Sequence, residues 1–209
     1  MKLENFSIKT KKRNLLSNVS IEFEKGKMAH VLGKNGTGKT CLAKSIIGAF
    51  PFSGKILLDE KNICIIGSYT NIPNDLKVKD VMNIITKKFK RQISKEVLDI
   101  FGIKDMPLKN KMKNLSDGQR QKIKLLYFLS TAPEIIIFDE FTNALDKKTC
   151  LEIYEFINNY REKNNTTIIN ITHNITDLEY MDGEYFLIEN ENIRKYETKE
   201  FVINSYIKG

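Results

Sequence analysis

The chain of 209 residues can bury one sizeable hydrophobic core, and its 41% hydrophobic and 29% charged residues are typical of a soluble globular protein. Its longest apolar runs, such as residues 135–138, are far shorter than the roughly 20 residues of a membrane-spanning helix, which excludes a membrane-embedded function. The net charge of +8 could serve an anionic membrane or a nucleic acid, but the lysines are dispersed. We therefore predict a solvated surface and expect no nucleic-acid partner.

Two periodicities predict the secondary structure along the chain: apolar–polar alternation or short apolar runs for strands, and apolar residues every three or four positions for helices. The strand predictions are residues 3–8, 19–23, 28–32, 55–58, 63–66, 134–138, 166–171, 184–189 and 193–196. The helix predictions are residues 41–49, 78–89, 94–101, 120–130 and 146–160. This order predicts one α/β domain over residues 1–209, with a mainly parallel core sheet, an antiparallel amino-terminal β subdomain and a small helical subdomain at about 71–118.

A glycine-rich segment between the third strand and the first helix has the spacing of a phosphate-binding loop, with Lys-Thr at its end. Glycine adopts backbone angles barred to other residues, so successive N–H groups can point at one anion, and the following helix adds its positive dipole end. Lys39 can then reach the β- and γ-phosphates, and the Thr40 hydroxyl can bind Mg²⁺. An ordinary glycine-rich turn is the alternative, but the flanking strand and helix favour the phosphate loop. The predicted nucleotide-binding residues are Gly33, Lys34, Asn35, Gly36, Thr37, Gly38, Lys39, Thr40 and Cys41.

Two carboxylates follow the apolar run that predicts the sixth strand. Such a buried strand in a parallel sheet ends at the edge that carries the ligand. Asp139 is therefore predicted to hold Mg²⁺, directly or through water, and Glu140 to orient and polarise the attacking water. Such an acidic pair is weak evidence for a nucleotide site on its own, and it becomes strong evidence when it follows a phosphate loop in the sequence.

With these residues in place, nearly the whole chain resembles the nucleotide-binding domain of an ABC ATPase, an α/β fold of the P-loop NTPase class. Residues 115–119 resemble the signature motif of that family and lie between its two nucleotide motifs. Residues 141–146 resemble its D-loop, and His173 resembles its switch histidine at the end of a strand. The ordered set is far more specific than the phosphate loop alone.

The resemblance implies that two such domains pair head-to-tail and enclose two ATP molecules, with Mg²⁺ as cofactor. Ser116 and the backbone N–H of Gly118 would complete the ATP site of the partner, and His173 would bind the γ-phosphate. The alternative for Ser116 is a plain helix cap, and both roles can hold at once. The residues implied at the partner's ATP are Ser116, Asp117, Gly118 and Gln119. The D-loop residues implied are Ala144, Leu145 and Asp146.

Several positions depart from the family's pattern. Thr10 stands where an aromatic residue usually stacks on the base, so Lys11, Lys12 or Arg13 is left to cover it. Asn71 replaces the glutamine that joins the metal site to the helical subdomain, and we assign it a catalytic role with Glu140 and His173. Two further departures are Asp117 in place of glycine and Phe141 in place of proline. These changes are expected to lower base selectivity and turnover.

The resemblance implies an ATP-hydrolysing subunit of an exporter-like ABC transporter, forming a homodimer or a heterodimer and binding separate integral membrane permease subunits. The D-loop, Thr142-Asn143, resembles that of exporters of peptides, antibiotics and drugs. The amino terminus lacks a signal-peptide core and the 3 cysteines are scattered, so we expect a cytoplasmic protein on the inner face of the membrane. A non-transport ABC ATPase, for example in cofactor assembly, and a weakly hydrolysing member of a heterodimer remain as alternatives.

Overall fold

The computed structural model describes residues 1–60, 62–88, 102, 106–143 and 145–208. The strands are β1 (Lys2–Lys9), β2 (Asn14–Glu22), β3 (Met28–Gly33), β4 (Ser53–Leu57), β5 (Ile63–Gly67), β6 (Ile135–Asp139), β7 (Thr167–Thr172), β8 (Glu184–Glu189) and β9 (Asn192–Tyr196). The helices are α1 (Lys39–Ile46), α2 (Val78–Lys88), α3 (Asp117–Leu129), α4 (Lys147–Asn164), α5 (Thr176–Tyr180) and α6 (Lys199–Lys208). The helix predicted at residues 94–101 lies outside the described residues.

A six-stranded sheet in the order β5-β6-β7-β3-β8-β9 forms the centre of the molecule. Its first five strands are parallel, and β9 pairs antiparallel with β8. Along β6, Ile136 and Phe138 belong to one hydrophobic cluster while Ile135 and Ile137 belong to the other. Both faces of this strand are therefore covered, which explains its continuous apolar sequence. The predicted parallel sheet is confirmed, and the strands predicted at residues 184–189 and 193–196 form a closing hairpin.

A second sheet, in the order β2-β1-β4, is antiparallel, as predicted for the amino-terminal subdomain. Its residues Leu3 and Phe6 share a hydrophobic cluster with Leu42 of α1. The polar connection between the first two strands is shorter than predicted, because β2 already begins at Asn14 and buries Leu16. The opposite face of the core sheet shares its hydrophobic cluster with residues of α2, α3 and α4.

Several element boundaries differ from the predictions. Helix α1 begins at Lys39, two residues early, because Gly38 caps it directly. Helix α4 continues past residue 160 to Asn164, and its capping residue Asn165 adopts a left-handed conformation. Helices α5 and α6 were not predicted, since α5 has 5 residues and α6 buries only Val202. The bounds 71–118 of the helical subdomain stay a prediction. Within the ranges that the structure describes, no helix has both the length and the apolar character required to cross a bilayer.

His30 is a fully buried polar side chain in the middle of β3. Its Nε2 lies 2.7 Å from the carbonyl oxygen of Met181, which can only accept, so Nε2 carries the hydrogen. Its Nδ1 lies 3.2 Å from Nδ2 of Asn170 and accepts from that amide. Burial lowers the pKa of His30 to about 4, although the Met181 carbonyl and the nearby carboxylates of Asp177 and Asp182 oppose the shift. The ring is therefore neutral in the folded protein at physiological pH.

We expect this histidine to make the protein less stable as the pH falls. Above pH 6.5 neither state binds the proton, whereas between pH 6.5 and about 4 the unfolded chain binds it and the folded chain does not. The resulting loss between pH 7.5 and pH 5 is about 2 kcal/mol of unfolding free energy. Urea unfolding at both pH values measures it, with His30→Gln as the matched variant. An equal pH dependence in wild type and His30→Gln would contradict the prediction.

Candidate functional site

The predicted phosphate loop connects β3 to α1, as the motif requires. Gly36 and Gly38 have φ angles of +81° and +105°, in the left-handed region that favours glycine. A Cβ atom at Gly38 would also lie 3.0 Å from Cβ of Leu15. Side chains of the loop are partly turned to solvent: Lys34 and Asn35 are exposed, and Cys41, which follows in α1, is half-buried. The loop thus has a backbone shape that other residues would not adopt, with its outer rim open.

Lys39 is the cation of the site, and its side chain is only 5% exposed. Its Nζ donates to the carbonyl oxygens of Gly33 and Lys34 at 2.7 and 3.1 Å. The same ammonium lies 3.2 Å from Oε1 of Glu140. The loop therefore holds the ammonium at the edge of the sheet, next to a carboxylate that the sequence places 101 positions later (140 − 39).

Glu140 follows β6 directly and connects three side chains of the site. Its Oε1 lies 3.1 Å from Nδ1 of His173, and its Oε2 accepts from Nδ2 of Asn143 at 3.1 Å. Burial raises the pKa of Glu140, but hydrogen bonding to His173 and the charge of Lys39 outweigh it, so the pKa lies below its usual value. Glu140 is therefore ionised at neutral pH and can accept a proton from water.

Asp139 is the buried acid of the site, with 2% of its surface exposed. Burial raises its pKa, while hydrogen bonding from the Thr40 hydroxyl and the Tyr69 phenol opposes the shift. Its Oδ1 is buried and has no hydrogen-bond partner among the described residues. A carboxylate oxygen and a hydroxyl are the donor types that Mg²⁺ prefers. Asp139 and Thr40 therefore fit a Mg²⁺ site.

Among the described residues, no hydrogen bond joins Asn71, predicted as catalytic, to Lys39, Asp139 or Glu140. Its side chain is exposed, and its amide donates to the carbonyl oxygen of Ser68 at 3.4 Å. The side chain that reaches Asp139 from this segment is that of Tyr69, whose ring also lies 4.4 Å below Nζ of Lys44. Tyr69 could not be predicted from the sequence, because the segment after β5 has no hydrophobic periodicity that would align it with the site.

The signature segment begins helix α3 on the surface. The Ser116 hydroxyl accepts from the backbone N–H of Gln119 at 3.2 Å, and the Gln119 side chain accepts from the backbone N–H of Ser116 at 3.1 Å. This capping box realises the alternative predicted for Ser116, while the residue stays exposed. Asp117 is exposed and pairs with Arg120 at 3.6 Å, and Gly118 is half-buried. In the described part of the chain, no hydrogen bond or ion pair joins this segment to Lys39.

The D-loop leads from Glu140 into helix α4. Asp146 is exposed and caps that helix, accepting from the backbone N–H of Thr149 at 2.9 Å. Leu145 packs against the hydrophobic cluster, and Ala144 lies outside the described residues. Asn143, which holds Glu140, was missed as a site residue, although its position three residues after Glu140 was a usable signal.

Thr10 forms a turn that directs Arg13 to the phosphate loop. Its hydroxyl accepts from the backbone N–H of Arg13 at 3.1 Å and donates to the Arg13 carbonyl at 2.9 Å. The Arg13 guanidinium then donates from Nη2 to the carbonyl oxygen of Gly36 at 2.5 Å. Of the three basic residues predicted to cover the base, the structure joins Arg13 to the loop.

Comparisons with known proteins agree with this geometry. Residues 16–143 match the family described as ABC transporter. The probable peptide export ATP-binding protein YydI of Bacillus subtilis (strain 168) is 39% identical over 209 residues, covering 99% of each chain. The energy-coupling factor transporter ATP-binding protein EcfA1 of Mycoplasmopsis pulmonis (strain UAB CTIP) is 32% identical over 90% of this chain and 78% of its own. A solved ATP binding subunit of an ABC transporter superposes with a TM-score of 0.81 over 100% of this chain and 94% of its own; at 19% identity this shows the fold alone.

Proposed function

We propose an export function for this chain, which belongs to the ABC transporter family as an ATP-binding subunit that hydrolyses ATP. Subunits of this family work with membrane permease components. The finer proposal is that this subunit drives export of a peptide, antibiotic or drug-like substrate through separate membrane subunits. The observation that carries it is the similarity to a probable peptide export protein over 99% of both chains.

The residues at the sheet edge supply the steps of hydrolysis. The loop N–H groups and Lys39 bind the phosphates, and Glu140 takes a proton from the attacking water. We expect His173, whose Nδ1 lies 3.1 Å from Oε1 of Glu140, to bind the γ-phosphate from the end of the neighbouring strand. Thr40 and Asp139 would hold Mg²⁺, which neutralises charge on the phosphate oxygens when bound.

The partner arrangement is a head-to-tail dimer, either of two copies or with a related subunit. It is supported by the exposure of Ser116 at the start of α3, where the positive end of the helix dipole favours an anion. Ser116 and Gly118 would contact the ATP held by the partner's loop. We place the complex on the cytoplasmic face of the membrane, where ATP is available.

Alternatives are a non-transport ABC ATPase and a weakly hydrolysing member of a heterodimer. The similarity to a subunit of an energy-coupling factor transporter shows that family membership alone leaves the cargo open. The Thr142-Asn143 pair favours an exporter. Asn143 also donates a hydrogen bond to Glu140 within this subunit.

Purification from native membranes tests the transport proposal. We expect a tagged chain to carry a polytopic membrane protein through detergent solubilisation and affinity capture, identified by mass spectrometry. Inverted vesicles containing that complex should then take up peptide when ATP is supplied, and vesicles with the Glu140→Gln subunit should not. Recovery with a soluble complex alone would contradict transport, and uptake only into right-side-out vesicles would contradict export.

A further inference from the structure

Asp177, in helix α5, is a buried acid that the hydrolysis steps above do not use; 1% of its surface is exposed. Its Oδ1 accepts from the Thr142 hydroxyl at 2.8 Å, the Tyr154 hydroxyl at 2.6 Å and Nδ2 of Asn174 at 3.3 Å. Its Oδ2 accepts from Nδ2 of Asn170 at 3.1 Å. Burying a carboxylate is costly unless it is hydrogen-bonded, and here four donors satisfy it.

Two of these donors come from the segments that carry the reacting groups. Thr142 lies two residues after Glu140, and Asn174 directly follows His173. A single oxygen atom, Oδ1 of Asp177, therefore accepts from both segments. This oxygen therefore joins the two segments, beside the β6–β7 pairing and the hydrogen bond from the Glu140 N–H to the Ile171 carbonyl that also join them.

The hydrogen-bond directions behind Asp177 admit only an acceptor at this position. His30 donates from Nε2 to the Met181 carbonyl, so its Nδ1 must accept from Asn170. The amide of Asn170 then donates its other hydrogen to Asp177. If residue 177 carried an amide instead of a carboxylate, an N–H group of that amide would face another N–H donor of the network, and neither could accept a hydrogen bond. The carboxylate thus fixes the orientation of the four donors that face it.

We propose that Asp177 is a positioning residue for ATP hydrolysis, which sets the spacing of Glu140 and His173 through Thr142 and Asn174. This inference rests on the proposed roles of Glu140 and His173. A misplacement of catalytic groups by about 1 Å can cost on the order of 100-fold in rate, so a shared anchor behind both groups has a direct effect on turnover.

Thr142 offers a cleaner test than Asp177, because a substitution of Asp177 itself would leave several buried donors without their acceptor. Thr142→Val removes one hydroxyl at nearly constant volume and frees the D-loop from Asp177. We expect kcat to fall by about 10-fold or more while the ATP dissociation constant changes by less than about 2-fold. Thr142→Ser keeps the hydroxyl, so its kcat should be close to that of the wild type.

Tyr154→Phe is the matched control, because it removes a donor from the same oxygen but lies in α4, outside both segments. Its ring can still stack on Tyr180. We expect its kcat to stay within about 3-fold of wild type. Melting temperatures of all variants separate positioning from stability.

An unchanged kcat in Thr142→Val would overturn the inference, as would losses in Thr142→Val and Tyr154→Phe that follow their melting temperatures. Glu140→Gln, assayed alongside, separates this failure from that of the proposed function. If Glu140→Gln loses activity and Thr142→Val does not, only the positioning role fails. If Glu140→Gln keeps activity, the proposed hydrolysis mechanism itself fails.

Discussion

Replacing Glu140 by Gln is expected to lower the ATPase turnover number by about 10²–10⁴-fold, the usual effect of removing a general base. The amide keeps the shape of the side chain but cannot take the proton from water. ATP should still bind, because Lys39 and the loop are unchanged, and the nucleotide-bound dimer should accumulate. Phosphate release under saturating ATP measures the first effect, and size-exclusion chromatography with ATP measures the second.

Glu155→Gln provides the control for this change, because Glu155 is an exposed acid on the surface of α4. It should hydrolyse ATP at the wild-type rate. Normal turnover in Glu140→Gln would show that another group activates the water, and a variant that no longer binds ATP would show that Glu140 has a structural task.

Replacing Lys39 by Ala should abolish measurable ATP binding. The ammonium is the buried cation of the loop, and a charge-assisted contact with phosphate is worth up to about 3 kcal/mol, or roughly 100-fold in affinity. Isothermal titration calorimetry measures the dissociation constant, and the melting temperature reports whether the fold survives. Lys55→Ala, at an exposed position of β4, is the matched control, because it gives the protein the same net charge as Lys39→Ala.

Unchanged affinity in Lys39→Ala would count against the assignment of the phosphate loop. A large fall in melting temperature without nucleotide would have a different meaning: the contacts of Lys39 with Gly33, Lys34 and Glu140 would then matter mainly for folding.

Local sequence signals were sufficient for much of the fold. Continuous apolar runs predicted the buried strand β6 because both faces of the core sheet are covered, and the Gly-Lys-Thr spacing predicted the turn into α1. Boundaries were less predictable, since capping decides them. The end of α4 depends on Asn165, which adopts a left-handed conformation. The helical spacing of apolar residues does not indicate where such a residue stops the helix.

The site could be predicted only where its residues belong to motifs. Lys39, Asp139, Glu140 and His173 each end or follow a strand of a parallel sheet, so their meeting at one edge follows from topology. Tyr69 and Asp177 do not follow from any local pattern. His30 and Asn170 are 140 residues apart in sequence, and no periodicity specifies such a hydrogen bond.

The backbone of Glu140 has a φ angle of +53°, a conformation that costs a residue with a side chain roughly 1–2 kcal/mol. Glycine or asparagine would relieve that strain, yet neither carries a group that could accept a proton from water. Selection for thermal tolerance and selection for catalysis thus pull this one position toward different amino acids. A protein engineer who optimised folding alone would discard the side chain that we propose as the acceptor of the water proton.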